Sequence, residues 1–280
     1  MWRGGLLYKG IGMKKTIFTL NIGNYAPDIT ALTFPLMAKY AQKIGAEFHV
    51  ITEKKLTLPG ECFAGGFPGL EKFQIYELGK GYDWNMFIDP DCLVHPDFFD
   101  PTSFMTKDIT AAYGSNDFVP IRFRTDKYFM RDGRMIGKGN WFAVVSDWCL
   151  DYYHPLDDIT LQEAESMCFP TKDELTCAKP MSGYNMVEDM LVSRNIARYG
   201  LKHILMTDIL ARFGLNLNYI PLGQVMTPQG MVNQAGGPLF HVYQEDADKK
   251  LVMMQNQLKA WGIEVKQVTI PAEVPSAPVA

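Results

Sequence analysis

The sequence predicts an α/β fold: a single domain built on an open, mostly parallel, twisted sheet flanked by helices. Strand-like and helix-like segments alternate between residues 16 and 113 with short connections. Such β-α-β units form parallel strand pairs with right-handed crossovers. The chain has 280 residues and 47% hydrophobic content, which is enough for one large core. We see neither an internal repeat nor a linker in the sequence, so we expect one domain.

The first half of the chain contains the clearest elements. Residues 16–20 and 47–52 are rich in β-branched and aromatic residues and predict two strands. The segment between them has helical spacing, and Pro35 fits the first turn of that predicted helix. A second helix is predicted over residues 70–79. It precedes a third, apolar strand that ends at Asp89.

The second half is less regular. Its predicted strands are 109–113, 141–145 and 239–243, and its predicted helices are 148–153, 187–199 and 247–261. Residues 160–182 are predicted to be a polar, Pro-containing insertion, and residues 213–238 are predicted to be irregular segments with Gly, Asn and Pro.

The two ends of the chain differ from the rest. Met13 is a second plausible start, so we expect residues 1–12 to be a loose extension. Residues 13–265 would form the domain. The tail from residue 266 to 280 is dominated by Pro, Ala and Val, and we expect it to be disordered.

Composition excludes several classes of protein. The formal net charge of −4 and the 21% charged content do not indicate nucleic-acid binding. No apolar run approaches the roughly 18 residues of a membrane span, so we expect no transmembrane segment. The five cysteines form no Cys-x-x-Cys pair, which is typical of reduced thiols. We therefore expect a cytoplasmic protein.

The most informative stretch is 85–94, in which an apolar strand is interrupted by Asp89, Pro90 and Asp91. Two carboxylates among apolar residues need a compensating charge. Pro90 bends the chain and can direct both carboxylates at one cation. Oxygen ligands of this kind suit Mg²⁺ or Mn²⁺, which commonly share their coordination with substrate phosphates. The alternative is that these are turn residues that end a strand.

The position of the two aspartates favours the metal hypothesis. In open parallel sheets, ligands bind beyond the carboxyl ends of the strands. Both the Asp89/Asp91 pair and the loop that begins at Asn21 are predicted to lie at that edge. Two candidate features therefore converge on one side of the sheet.

With these elements placed, the chain resembles the glycosyltransferases of the GT-A fold, the nucleotide-diphospho-sugar transferases, and family 8 in particular. The resemblance is close over residues 14–115 and looser over 140–245. It depends most on the helix at 71–78 and on the strand that leads into the Asp-x-Asp motif. The other matching segments are 21–25, 37–41 and 48–51. The resemblance implies a metal-dependent enzyme that moves a sugar from a nucleotide diphosphate donor, expected to be a UDP-sugar, to an acceptor hydroxyl, with Mn²⁺ or Mg²⁺ as cofactor.

The resemblance also implies the metal ligands. Asp91 would be the principal ligand, and Asp89 would contact the metal, the ribose or both. His241 would be the third ligand, as in the His-x-x-Gly-x-x-Lys segment of family 8. Here Gln244 and Ala247 stand where that segment has Gly and Lys. Lys249 or Lys250 can supply the missing cation from the next helix, or both can be solvated. The alternative for His241 is a core histidine with one hydrogen bond.

The implied donor site contains residues from four parts of the chain. They are Asn21, Asn24, Tyr25, Lys72, Asp89, Asn140 and Trp141. Four of them have a simpler interpretation. The asparagines suit a turn, Lys72 suits a solvated helix face, and Trp141 suits the core.

Two further segments are candidates for the reaction. Glu188 and Asp189 resemble the acidic pair that the family places beside the acceptor, where a carboxylate acts as general base in inverting members. Glu188 also has capping-box spacing to Asn185 and would then only close a helix. Residues 122–138 hold six basic and two acidic residues. This segment either closes over an anionic ligand or is a solvated loop.

Two other functions remain open. A binding module that retains the fold and lacks the chemistry would explain Gln244 and Ala247. A sugar nucleotidyltransferase would need a Gly-rich, basic loop after the first strand. The loop at 21–24 has one glycine and no basic residue, so we rank that function lower. The sequence predicts neither the sugar, the acceptor, the stereochemistry nor the oligomeric state.

Overall fold

The computed structural model describes residues 12–56, 68–113, 141–155, 191–192, 194–196, 198–205, 225–227, 230–232, 238–242 and 246–264. The strands are β1 (Lys15–Leu20), β2 (Ala46–Ile51), β3 (Trp84–Ile88), β4 (Cys92–Val94), β5 (Ile109–Tyr113), β6 (Phe142–Ser146), β7 (Lys202–Leu205), β8 (Val225–Thr227), β9 (Gly230–Val232) and β10 (Leu239–His241). The helices are α1 (Pro27–Ile44), α2 (Ile75–Leu78) and α3 (Ala247–Ala260), with 3₁₀ segments at Pro68–Gln74, Pro101–Phe104 and Asp147–Tyr153. Helical residues also occur within 191–199.

The core of the protein is a six-stranded sheet in the order β2-β1-β3-β6-β5-β7. Strands β2, β1 and β3 are parallel, β6 is antiparallel to both of its neighbours, and β7 is parallel to β5. Five strands therefore point one way and β6 alone points the other. The predicted open, mostly parallel sheet is confirmed.

Both faces of the sheet are covered, and strand alternation decides which residue faces which layer. On one face, Phe18 and Phe87 pack against the 3₁₀ segments Pro68–Gln74 and Asp147–Tyr153 and the helical residues near 191–199. On the other face, Ile17 and Met86 pack against α1. Because the central strands β3 and β6 are buried on both sides, they read as nearly continuous apolar runs.

A second, smaller sheet lies beside the first. Strand β4 pairs antiparallel with β10, and Leu93 lies opposite Phe240. These two side chains pack with Leu36 of α1 and with Met254 and Leu258 of α3. This apolar cluster holds α3 next to the turn that follows β3.

Helix α1 corrects one sequence prediction. Pro35 lies inside the helix rather than in its first turn, because the helix begins at Pro27. A proline inside a helix removes one backbone hydrogen bond. The preceding turns nevertheless stay helical, since Ile29 and Phe34 are buried at 1% and 2% exposure. Burial of that apolar face outweighs the local preference to end the helix.

Other boundaries also differ from the predictions. The helix predicted over 70–79 is mostly a 3₁₀ segment, and only Ile75–Leu78 is α-helical. The predicted helix at 148–153 is likewise a 3₁₀ segment that begins at Asp147. Strand β7, and strands β8 and β9 within the predicted irregular region, were not expected. Residues 1–11 and 265–280 lie outside the described residues, so the predicted extension and tail remain predictions.

None of the helices in the described ranges combines the length and the hydropathy that a bilayer crossing requires.

Gly79, at the end of α2, gives a test of the packing between that helix and β3. A Cβ at this position would lie 2.6 Å from the Asn85 side-chain oxygen and 2.7 Å from the Ile75 carbonyl oxygen. Asn85 is fully buried, so neither neighbour has room to move. We expect Gly79→Ala to destabilise the protein by about 1–3 kcal/mol in urea denaturation. Gly12→Ala is the matched control, because its Cβ would meet nothing within 4 Å. Equal stabilities for the two variants would contradict the packing described here.

Candidate metal centre

The turn that follows β3 presents the two aspartates. The carbonyl of Asp89 accepts a hydrogen bond from the Cys92 N–H at 3.1 Å, and Pro90 occupies the second position of this turn, which suits its fixed φ. The Asp89 N–H donates to the carbonyl of Trp141 at 2.8 Å. On the other side, the Thr33 hydroxyl donates to the Pro90 carbonyl at 2.6 Å. The turn is thus held between β6 and α1.

Strand pairing brings His241 to the same place. In the antiparallel β4–β10 pair, His241 lies opposite Cys92, one residue from Asp91. Its Nε2 lies 3.2 Å from Asp91 Oδ1 and 3.7 Å from Asp89 Oδ2. One ligand atom from each of the three side chains falls within 4.8 Å of the others. The three predicted metal ligands are therefore close enough to share one ion.

Trp141 orients the imidazole of His241. The two rings stack with centroids 5.1 Å apart and an interplanar angle of 14°. Trp141 is only 8% exposed. Because its backbone carbonyl also binds the Asp89 N–H, this residue contacts the metal-ligand cluster twice. Its predicted contact with the donor sugar stays a prediction.

Lys250, in the first turn of α3, supplies a cation to the cluster. Its Nζ forms an ion pair with Asp91 Oδ2, and both side chains are 10% exposed. The Tyr25 hydroxyl donates to the same carboxylate oxygen at 3.3 Å and accepts from Lys250 at 3.4 Å. Lys249 instead lies near Asp246 at 3.6 Å on the exposed side of the helix. Of the two lysines considered from the sequence, Lys250 is the one at the site.

Lys72 is buried rather than solvated. Its side chain is 1% exposed, and its Nζ lies 3.5 Å from Asp89 Oδ1 and 4.2 Å from the centre of the Phe87 ring. The neighbouring Glu71 was not singled out from the sequence. It accepts hydrogen bonds from the backbone N–H groups of Lys55 and Leu56 at 3.0 and 3.2 Å. This bond ties the segment after β2 to the segment that carries Lys72.

The two carboxylates have opposite pKa shifts. Burial raises the pKa of Asp89, and the attraction of Lys72 and His241 only partly offsets that effect. Burial acts on Asp91 in the same direction, but His241 and Lys250 outweigh it and hold the pKa of Asp91 well below its usual range. Asp91 is therefore the more acidic of the two carboxylates.

The donor set fits a divalent cation. Two carboxylates and an imidazole converge in a partly buried position, and each can give one ligand atom. Asp89 is 25% exposed at its side chain, so the cluster has a side open to a ligand. The imidazole must offer the lone pair of Nε2, the atom that faces both carboxylates, to such an ion.

The loop between β1 and α1 lies at the same edge of the sheet. Asn21 donates its N–H to the Ile51 carbonyl at 2.8 Å, and its buried Oδ1 has no hydrogen-bond partner within the described residues. Asn24 is exposed and adopts a left-handed conformation with φ of 56°. Tyr25 of this loop reaches the metal-ligand cluster through its hydroxyl. Asn140, Glu188, Asp189 and the basic segment 122–138 lie outside the described residues.

Comparison with known proteins gives a structural likeness only. No protein-family model and no curated protein matches the chain. Among solved structures, one match is a glycosyltransferase involved in glycosylation of the major capsid of PBCV-1, with 11% identity, a TM-score of 0.44, and coverage of 86% of this chain and 99% of that one. Another is the galactosyltransferase LgtC with donor and acceptor sugar analogs, with 12% identity, a TM-score of 0.44, and coverage of 93% and 98%.

The Asp91–Lys250 ion pair can be tested through stability. Asp91→Asn leaves the buried ammonium without its counter-charge, so we expect a loss of about 3–5 kcal/mol in urea denaturation at pH 7 without metal. Asp91→Asn combined with Lys250→Met should recover part of this loss, because both charges are then removed together. A double variant no more stable than Asp91→Asn alone would contradict the coupling.

The single variant Asp91→Asn also tests how the contribution of Asp91 to stability depends on pH. Because the pKa of Asp91 is lowered in the folded state, its contribution to stability is present above the unfolded pKa of about 3.9 and is lost as the pH falls. The difference in the free energy of unfolding between wild type and Asp91→Asn should therefore become smaller below about pH 4, by up to roughly 1.4 kcal/mol per pH unit. Urea denaturation at pH 7 and at pH 3 measures this difference. The same difference at both pH values would show that folding does not lower the pKa of Asp91.

Proposed function

We propose that this protein is a metal-dependent glycosyltransferase that uses a nucleotide diphosphate sugar, a UDP-sugar, and transfers the sugar to an acceptor hydroxyl. The observation that carries the proposal is the cluster at the carboxyl edge of β3. It combines two carboxylates and an imidazole with two lysines, all close enough to act on one ligand. Carboxylates and imidazole suit a divalent cation, and ammonium groups suit phosphate oxygens.

The chain's own residues divide the work at such a site. Asp89, Asp91 and His241 would hold the cation, and the Trp141 ring would keep the imidazole in place. A bound divalent ion supplies Lewis-acid stabilisation of the negative charge that develops on the leaving diphosphate. The mixed oxygen and nitrogen donor set favours Mn²⁺ over Mg²⁺, which prefers oxygen ligands throughout.

The lysines and the loop after β1 would bind the rest of the donor. Lys72 lies beside Asp89, and Lys250 lies beside Asp91. Lys250 would contact the diphosphate, and the buried Lys72 would act on it through its charge, where water is largely excluded and electrostatic attraction is strong. Asn21 and Asn24 would contact the base and ribose, and Asn140 and Trp141 the sugar.

Glu188 and Asp189 are proposed to lie beside the acceptor. In an inverting reaction, Asp189 would take the proton of the acceptor hydroxyl as it attacks the anomeric carbon. Glu188 would then cap its helix or support Asp189. A retaining reaction needs no base there.

A second function is a binding module that keeps the nucleotide sugar without transferring it. It is favoured by Gln244 and Ala247, which replace the Gly and Lys expected after His241. The place of Lys250 next to Asp91 supports the enzyme instead, because it supplies a cation that the altered segment lacks. Release of sugar from the donor distinguishes the two functions.

The central test is binding of the donor with the metal. We expect UDP and Mn²⁺ together to stabilise the protein in a thermal-shift assay, with about 2.7 kcal/mol at a hundredfold excess over the dissociation constant. GDP, CDP and ADP serve as comparison arms. The variants Asp89→Asn, Asp91→Asn and His241→Ala should lose the part of this thermal stabilisation that depends on Mn²⁺. In a transfer or donor-hydrolysis assay, Asp91→Asn should lower turnover by at least about 10³-fold.

Asp97→Asn is the matched control, because Asp97 is 84% exposed at its side chain. It should bind and turn over like wild type. Full transfer by Asp91→Asn with unchanged metal dependence would overturn the role of the cluster. Binding of UDP and Mn²⁺ without any sugar release would favour the binding module.

The acceptor side has its own test. If the reaction inverts the anomeric configuration, Asp189→Asn should lower the rate of transfer by about 10²- to 10⁴-fold and leave UDP affinity unchanged, because a general base acts only on the acceptor. Anomeric configuration is read by NMR of the product. An inverted product made at the wild-type rate by Asp189→Asn would remove this residue from the mechanism.

A further inference from the structure

We infer that Lys250 and the divalent cation exclude one another at Asp91, and that Lys250 moves from this carboxylate to the diphosphate when the two ligands bind together. This inference rests on the proposed function and adds that the two ligands bind cooperatively. The metal alone would bind weakly, and the metal together with a nucleotide diphosphate would bind strongly. Lys250 would be the residue that couples them.

All four carboxylate oxygens of the cluster already have a partner in the described structure. Asp89 Oδ1 faces Lys72 at 3.5 Å, and Asp89 Oδ2 faces His241 at 3.7 Å. Asp91 Oδ1 faces His241 at 3.2 Å, and Asp91 Oδ2 is held by Lys250 and by the Tyr25 hydroxyl. A cation bound through Asp91 Oδ2 therefore competes with Lys250 for that oxygen, and one bound through Oδ1 shares the carboxylate with Lys250, whose positive charge repels it.

The charges of the cluster lead to the same result. Among the described residues, the two ionised carboxylates balance the two ammonium groups, before any charge on His241 is counted. A divalent ion added alone leaves an excess of positive charge in a buried position, which is unfavourable. A diphosphate brings negative charge that offsets this excess. The two ligands should therefore help each other bind, and by linkage the effect must be the same in both directions.

Lys250 can move its ammonium from a carboxylate to a ligand, whereas Lys72 cannot. Lys72 is 1% exposed and lies against the Phe87 ring, so it is enclosed on all sides by the protein. Lys250 lies beside Tyr25, which is 39% exposed and marks the boundary with solvent. Its flexible stem lets the ammonium shift toward an entering ligand, while Met254 and Leu258 keep α3 in place.

The experiment measures Mn²⁺ affinity by calorimetry or by EPR in wild type, Lys250→Met and Lys249→Met, first without and then with UDP. Without UDP, we expect Lys250→Met to bind Mn²⁺ at least tenfold more tightly than wild type. With saturating Mn²⁺, the same variant should bind UDP at least tenfold more weakly. Lys249 is the neighbouring, solvent-exposed lysine of the same helix, so Lys249→Met should match wild type in both measurements.

A second variant covers the case in which Lys250→Met does not fold. Lys250→Arg keeps the positive charge and can pair with a carboxylate through two hydrogen bonds, so it should bind Mn²⁺ alone no more tightly than wild type. Tighter Mn²⁺ binding by Lys250→Arg, or equal Mn²⁺ affinity in wild type and Lys250→Met, would overturn the exchange. A wild-type protein that binds Mn²⁺ and no nucleotide diphosphate would instead overturn the proposed function.

Discussion

The ion pair between Asp91 and Lys250 joins the three parts of this protein that matter for its candidate function. Asp91 belongs to the turn after β3, Lys250 belongs to α3, and His241 at the end of β10 contacts the same carboxylate. Each of these groups is nearly buried, and a buried charge is tolerated only with a partner. The turn, the small β4–β10 sheet and the last helix are therefore held in one arrangement by electrostatics as well as by the apolar contacts of Leu93, Phe240 and Met254.

The sheet explains why such a cluster forms at this edge. Strands β1, β2 and β3 end on the same side, so the loop with Tyr25 and the turn with Asp89 and Asp91 meet there. Strand β6 runs the opposite way and begins at this edge, with Phe142 paired to Ile88. Trp141, which precedes β6, is thereby brought to the turn and onto His241. One antiparallel strand thus adds a residue from its start to a site otherwise built from strand ends.

Sequence reasoning predicted the sheet because apolar strands in a β-α-β rhythm are a strong local signal. It also singled out Asp89 and Asp91, which follow such a strand, and the resemblance added His241; the structure brings these three side chains together. It failed where distant residues decide. Pro35 stays inside α1 because packing on the sheet outweighs its local effect, and β7 depends on pairing with β5 across a long separation. The burial of Lys72 and the contact of Lys250 with Asp91 depend on which side of a helix faces the cluster. The sequence alone does not distinguish Lys249 from Lys250 in this respect.

The composition of the cluster itself argues for function rather than for stability. Buried ion pairs stabilise a fold weakly, and apolar side chains of similar size often serve as well or better. A structural role alone would therefore not require two lysines, two aspartates and a histidine at one end of the sheet. Because the charges of the described residues balance without any ligand, an added charge is accommodated best when one partner moves away from its carboxylate, as we propose for Lys250. The residue that moves then determines which ligand can bind. A divalent cation that binds together with a diphosphate has the lowest electrostatic cost, because the charges of the two ligands offset each other.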